Sequence, residues 1–295
     1  MGQERKEIRQ YHFLKTDPAG NTTIFVLDKT DPKERSAIAN ELMQDQRGLC
    51  AEQVAFMDSC PLHPADFSIA MMGGEFCGNA TRSAAAWLVF DRERYQPGGL
   101  QGDKGQYVIS CTGVDHPIRC HVDMMGPTLF DVTADMPLPR TVEKVQVDRE
   151  IFWKVDCGGI VHFIRFHTSF AEHPQVKQRW VDNILGQFPT PNGKATGILF
   201  LEQSEAEPLD QLRLDPYVYV RDTDTLVHES SCGSGTSAAT AALSASLQKN
   251  IKADIKQRGG SILRSEAHWE NDKLTFLSIG GTIRIIAEGM AYVEL

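Results

Sequence analysis

The sequence predicts an α+β fold built from two pseudo-symmetric halves. Two observations carry this expectation. The stretch Cys77-Gly78-Asn79-Ala80-Thr81-Arg82-Ser83-Ala84-Ala85-Ala86-Trp87-Leu88 has a second version at Cys232-Gly233-Ser234-Gly235-Thr236-Ser237-Ala238-Ala239-Thr240-Ala241-Ala242-Leu243. Cys, Gly, Thr, two Ala and Leu fall at matching offsets. The copies lie 155 residues apart, about half the chain, a period too long for a solenoid. The second observation is the order of elements around each copy: strands, a Gly turn led by Cys, an Ala-rich helix, then a hairpin. Two related halves that each supply one thiol place the expected site in a cleft between domains.

Taken in order, Tyr11 to Leu14 is apolar and aromatic, hence a strand, and Asp17-Pro18-Ala19-Gly20-Asn21 is a turn. Thr22 to Leu27 is a second strand. Lys33 to Met43 places Ile38, Leu42 and Met43 at helical spacing. Val54 to Met57 and Phe67 to Met72 are short strands, the latter running into the first Cys turn and a helix over Ser83 to Phe90. Pro97 to Gly105 reads as a loop. Tyr107 to Cys111 and Ile118 to Met124 form a hairpin. Pro127, Pro137 and Pro139 make the stretch from Gly126 to Arg140 the expected crossing between domains.

In the second half, Phe152 to Val155 and Ile160 to Phe166 are strands about Gly158-Gly159, and Gln175 to Gly186 is a helix. Gly197 to Glu202 and Leu214 to Val220 are strands before the second Cys turn, whose helix runs to about Leu247. Ser261 to Ser265, Trp269 to Phe276, Thr282 to Ala287 and Met290 to Glu294 close the chain as strands.

Bulk properties narrow the function. The chain has 295 residues, long enough for two domains, with 41% hydrophobic and 23% charged residues, an ordinary globular balance. A net charge of −9 argues against nucleic acid or an anionic membrane as partner. The charged start and the lack of a long apolar run point to a cytoplasmic protein. The seven Cys are an odd, scattered set, which fits a reducing compartment better than a disulfide framework. Cys111, His116, Cys120 and His121 match no standard zinc spacing, so no metal is expected there.

The chemistry follows from the two Cys turns. The first N–H groups of a helix lack intrahelical partners and carry partial positive charge. They lower the pKa of a Cys placed there and can hold a substrate carboxylate. Two such mouths around one amino acid would let Cys77 and Cys232 exchange protons on opposite faces of Cα, which is racemisation. The bland alternative is that each Cys is a small buried apolar residue; the pairing in register weighs against it. Asn21 in a turn and Gln53 or Glu229 on a surface have equally bland readings.

Four places resemble the superfamily of diaminopimelate epimerase and proline racemase: Gly20-Asn21, Glu52-Gln53-Val54, Glu75-Phe76-Cys77-Gly78-Asn79 and Ser231-Cys232-Gly233-Ser234-Gly235-Thr236. The wording Cys50-Ala51-Glu52-Gln53-Val54, Glu229-Ser230-Ser231 and Gly259-Gly260-Ser261-Ile262-Leu263 is most similar to the histidine racemases of opine metallophore synthesis. The Asn-Pro-His turn of the epimerases is replaced by Asp156-Cys157-Gly158-Gly159-Ile160, and their Glu-Arg pair has no clear equal beyond Glu229.

The resemblance implies halves of 1–128 plus 281–295, carrying Cys77, and 129–280, carrying Cys232. Each would be a mixed sheet or barrel around a central helix. It implies a cofactor-independent, dimeric amino acid racemase acting on histidine. Cys77 and Cys232 would be catalytic, and Asn21, Gln53, Gly78, Asn79, Glu229, Gly233 and Ser234 would bind substrate, with Glu229 on the ammonium. Rival readings are another racemase or epimerase of the superfamily, a thiol–disulfide oxidoreductase, and a non-catalytic amino acid binder.

Overall fold

The structure, a computed structural model, describes residues 7–58, 64–95, 105–167, 174–191, 194–203, 209, 211–221 and 224–295. The predicted loop from Pro97 to Gly105 lies almost wholly outside them. The chain divides into two compact units, Met1–Ala134 with Thr282–Leu295, and Asp135–Gly281. The sequence reading put the divisions at 128/129 and 280/281.

The first unit runs β1 (Ile8–Pro18), β2 (Thr23–Val26), α1 (Arg35–Met43), β3 (Gln53–Met57), β4 (Phe67–Met71), α2 (Gly78–Tyr95), β5 (Gly105–Cys111), β6 (Ile118–Gly126) and β7 (Leu129–Asp135). The second runs β8 (Thr141–Val147), β9 (Glu150–Asp156), β10 (Ile160–His167), α3 (Pro174–Gln187), β11 (Ala195–Glu202), β12 (Leu212–Val220), β13 (Thr225–His228), α4 (Gly233–Leu247), β14 (Ile251–Gln257) and β15 (Ile262–Glu270). The last strand, β16 (Lys273–Glu294), pairs with β15 through its first half and with β1 through its second.

In the first unit, β1 to β7 and β16 pair in sequence, and β1 also pairs with β16, so eight strands close into a barrel. Closure removes the unpaired edges that an open sheet exposes. One apolar core draws on all eight strands and on α2, including Leu14, Phe25, Ala55, Ile69, Ile109, Phe130 and Ile283. Residues 78–86 of α2 are buried without a break. Small side chains make that possible, and the polar ones are bonded: Thr16 Oγ1 meets Ser83 Oγ at 3.1 Å, and Arg82, fully buried, donates to Asn79 Oδ1 at 2.8 Å.

The second unit repeats the pairing pattern. From β9 it reads antiparallel to β10, parallel to β11, antiparallel to β12, parallel to β14, then antiparallel to β15 and β16. The first unit has the same series from β1 to β6, with β7 last. Each helix is therefore the crossover of a parallel pair, as such connections require. Helix α3 buries Lys177, Trp180, Val181 and Ile184, one face at i, i+3, i+4 and i+7. Lys177 Nζ donates to Glu202 Oε1 at 3.2 Å and Asp215 Oδ2 at 2.7 Å, and Asp215 Oδ1 meets His228 Nε2 at 2.6 Å.

Several expectations need correction. The unit division at 134/135 falls within the stretch from Gly126 to Arg140, which also contains β7, whereas β8, β13 and β14 were not anticipated. A strand over Trp269 to Phe276 is interrupted: Asn271 and Asp272 adopt φ of 51° and 59° and turn β15 into β16. The two closing strands are one strand of 22 residues. It runs through Gly280, Gly281 and Gly289. At Gly289 the absent side chain makes room for the Phe13 ring, since a Cβ there would lie 3.3 Å from Phe13 Cε1.

Candidate active site

Each Cys caps an Ala-rich helix in the same way. The Thr81 N–H and hydroxyl both donate to the Cys77 carbonyl, at 2.9 and 2.8 Å. Thr236 does the same for the Cys232 carbonyl, at 2.9 and 2.7 Å. The sulfurs accept from the next turn: Ala80 N–H reaches Cys77 Sγ at 3.4 Å, and Gly235 N–H reaches Cys232 Sγ at 3.3 Å. Neither helix has an acidic residue in its first turn, so the positive end of each dipole is not neutralised there.

Around Cys77 the hydrogen bonds form a chain. The thiol donates to Gln53 Oε1 at 3.3 Å, Gln53 Nε2 donates to Thr23 Oγ1 at 2.8 Å, and that hydroxyl donates to the Asn21 carbonyl at 3.2 Å. Asn21 is buried just after a left-handed turn at Ala19 and Gly20. Beside the Cys77 turn, Gly113 has φ of +82°, and a Cβ there would sit 2.2 Å from the Phe76 nitrogen. Only glycine suits that position.

Around Cys232 the neighbours differ. The Glu229 carboxylate is hydrogen-bonded to the thiol. Ser234 Oγ stands 3.6 Å from the sulfur and 3.1 Å from His162 Nε2. The backbone N–H of Cys232 donates to Gln257 Oε1 at 3.1 Å, and Gln257 Nε2 donates to Thr236 Oγ1 at 3.0 Å. Arg258 holds the approach to the turn, donating to the carbonyls of His228 and Glu229, each at 3.0 Å.

The expected fall in thiol pKa does not occur. Burial pushes the Cys77 thiol up to about 11, and the charge of Glu75 adds to it. The N–H groups of Ala80 and Asn79 and the bond to Gln53 pull the other way without cancelling it. Cys232 is raised well above its ordinary value, first by burial and then by Glu229, against Ser234 and the Gly235 N–H. The helix mouths favour the thiolate, but desolvation outweighs them.

The family model for the histidine racemase CntK N-terminal domain matches residues 10–292. The chain belongs to the histidine racemase family. It is an amino acid racemase, hence an isomerase. A histidine racemase of Fusobacterium nucleatum subsp. nucleatum is 31% identical over 299 residues, covering 97% of this chain and 99% of the relative. One from Staphylococcus aureus is 28% identical over 294 residues, covering 96% and 97%. Among solved structures, a hydroxyproline epimerase from Agrobacterium vitis with bound trans-4-hydroxy-L-proline superposes with a TM-score of 0.65 at 12% identity, covering 99% of this chain and 93% of that one. A phenazine biosynthesis protein of the PhzF family from Bacillus anthracis gives 0.61 at 12% identity, covering 97% and 99%. These two likenesses speak for the fold alone.

In this histidine racemase family member, the first unit gathers Asn21, Gln53, Gly78 and Asn79 about Cys77. The second gathers Glu229, Gly233 and Ser234 about Cys232. Two of the expected side chains have partners within the protein. The Asn79 amide oxygen is taken by Arg82, which leaves its backbone N–H at the helix mouth. Glu229, expected on a substrate ammonium, is bonded to the Cys232 thiol. Sequence reading missed Thr23, Arg82, His162, Gln257 and Arg258. A polar residue at an inward position was the readable signal for Gln257, which ends the series Ile251, Ala253 and Ile255 on the buried face of β14. Among the described residues, no helix is long and apolar enough to cross a membrane.

Proposed function

We propose that the chain interconverts L- and D-histidine without a cofactor, using Cys77 and Cys232 as the two proton carriers. The single observation that carries this reading is the unequal setting of two equally built thiols. Cys232 lies on a carboxylate, whereas Cys77 lies on a neutral amide.

An amino acid Cα proton is very weakly acidic, so the developing carbanion must be stabilised electrostatically. The unneutralised helix mouths are suited to hold the substrate carboxylate and to carry that charge. A substrate ammonium beside the thiols offsets the charges of Glu75 and Glu229 and brings a thiolate within reach. For one enantiomer, the Cys232 thiol passes its proton to Glu229. The thiolate then takes the Cα proton, and Cys77 delivers its own proton to the opposite face, becoming the thiolate. The other enantiomer reacts by the same steps in reverse. Because the thiols alternate in protonation, they titrate as a pair.

In this reading each unit is built around its buried helix and supplies one thiol. The protein acts in the cytoplasm as a homodimer, and its D-histidine feeds opine metallophore synthesis. The family likeness supports histidine over diaminopimelate, as does the absence from the sequence of a clear Glu-Arg pair for a second amino-carboxylate end.

Proton NMR of the reduced protein with L-histidine in heavy water tests the reading, with diaminopimelate and proline alongside. Loss of the histidine Cα signal, abolished in Cys77→Ala and Cys232→Ala, is the expected result. Exchange of a different amino acid would overturn the substrate, and no exchange with any would overturn the activity.

A further inference from the structure

His162 is fully buried and bonded to the turn that carries Cys232. It lies on β10, 72 residues from Ser234 in the chain, and its slot is cut by a glycine. Gly197 pairs with His162 across β10 and β11, and a Cβ at Gly197 would lie 2.0 Å from His162 Nδ1. The backbone there is shaped to admit an imidazole.

The tautomer follows from the ring's two ends. Nδ1 is buried with no hydrogen-bond partner among the described residues, while Nε2 meets Ser234 Oγ at 3.1 Å. A buried N–H without a partner is rarer than a buried acceptor without one. The proton therefore sits on Nε2, which donates to the serine oxygen. Ser234's own proton is then left to point at the other neighbour of its hydroxyl, the Cys232 sulfur at 3.6 Å.

Resting on the racemase reading above, we infer that His162 is a positioning residue for Cys232: it fixes the Ser234 hydroxyl as a hydrogen-bond donor to the thiolate through the directed chain His162 Nε2–H to Ser234 O–H to Cys232 Sγ. The ring does not act as a base. Burial pushes its pKa down to about 3, so it stays neutral where the enzyme would work. Neutrality keeps the chain directional, because a ring with one proton and no exchange partner on Nδ1 holds a single polarity. The other groups on the sulfur are the Glu229 carboxylate and the Gly235 N–H. Glu229 disfavours the thiolate. The serine proton and the Gly235 N–H favour it, and His162 governs the first of these.

The test reads the thiol itself and needs no racemase activity. Iodoacetamide labelling of the full chain is followed at Cys232 and Cys77 separately by mass spectrometry, between pH 7 and 10. His162→Phe, which keeps an aromatic ring in the Gly197 slot, and Ser234→Ala should each slow labelling of Cys232 about three- to tenfold, the size expected when one hydrogen bond to a thiolate is lost. Cys77 should label as before. The double variant should be no slower than either single one, and His162→Gln, whose amide can donate to Ser234, should recover part of the rate. Unchanged Cys232 labelling in Ser234→Ala, which needs no repacking, would overturn the inference. So would a double variant showing the product of the two effects. If the labelling pattern appears but no amino acid exchanges in heavy water, the relay stands and the racemase reading falls.

Discussion

Thr23 and Gln53 are partners in the parallel β2–β3 ladder, and the Gln53 amide donates across it to the Thr23 hydroxyl at 2.8 Å. That bond decides which end of the amide faces the thiol. With Nε2 engaged, Oε1 is presented to Cys77, 3.3 Å away. Thr23→Val should free the amide to rotate, expose Cys77 to an N–H instead of an acceptor, and lower racemisation several-fold. Its stability cost should be about 1–3 kcal/mol, because both hydrogen bonds of the Thr23 hydroxyl, from Gln53 and to the Asn21 carbonyl, are lost. Turnover and the urea midpoint, measured on the same variant, check both.

Gly235 has a packing duty that its counterpart Ala80 lacks. A Cβ at Gly235 would lie 2.9 Å from Cys232 Sγ and 3.1 Å from Leu199 Cδ2. Gly235→Ala should displace the sulfur and cost about 1–3 kcal/mol by overpacking, with activity falling about tenfold or more. Denaturant unfolding and racemase assays should show the second effect exceeding what the loss of folded protein explains.

Protonation of the buried thiols links stability to alkaline pH. Cys77 is raised to about 11, and Cys111 and Cys157 to about 12, each chiefly by burial, from an ordinary value of 9.0. Above pH 9 the unfolded chain releases protons that the folded chain keeps. The thiols' contribution is therefore full below pH 9 and is lost as pH rises to 11–12. Melting temperature should fall over that window, and less steeply in Cys111→Ala once its own cavity cost at pH 7 is subtracted.

His162 gives the opposite window. Burial lowers its pKa from 6.5 to about 3, so between these values the unfolded chain binds a proton that the folded one does not. Stability should fall as pH drops below 6.5, by up to about 1.4 kcal/mol per unit from this group. His162→Phe should flatten that part of the curve in a urea titration from pH 7 to pH 4.

Lys177 makes a different demand. Burial opposes its charge, but Asp215 and Glu202 more than compensate and hold its pKa above the ordinary value. Lys177→Met leaves Glu202, 3% exposed, without its cation. The expected loss is about 3–5 kcal/mol, and the Glu202→Gln/Lys177→Met double variant should recover part of it. A thermodynamic cycle by chemical denaturation measures that coupling.

The cysteine turns were legible because their geometry is local. Glycine after Cys, Thr four residues on to bond the Cys carbonyl, and small residues along a buried helix are all written within one stretch. Gln53 and Asn21 were reached through wording shared with relatives, not through spacing. His162 and Gln257 stayed hidden because strand pairing, rather than proximity in the chain, brings them to the turn. Gln257 is 25 residues from Cys232 and depends on β14, whose alternation of Ile, Lys, Ala, Asp and Ile passed unread. The β15–β16 turn was missed because it rests on Asn271 and Asp272, and their left-handed tolerance competed with the aromatic run around them.

The unequal neighbours of the two sulfurs meet a constraint from outside the protein. Mirror-image amino acids have the same free energy in water, so the ratio of kcat/KM in the two directions must be one, whatever the catalyst. Placing Cys232 on a carboxylate and Cys77 on an amide cannot move that ratio. The asymmetry can appear only in how much of the bound substrate rests in each hand, and so in kcat and KM taken separately, which should differ between L and D by a common factor.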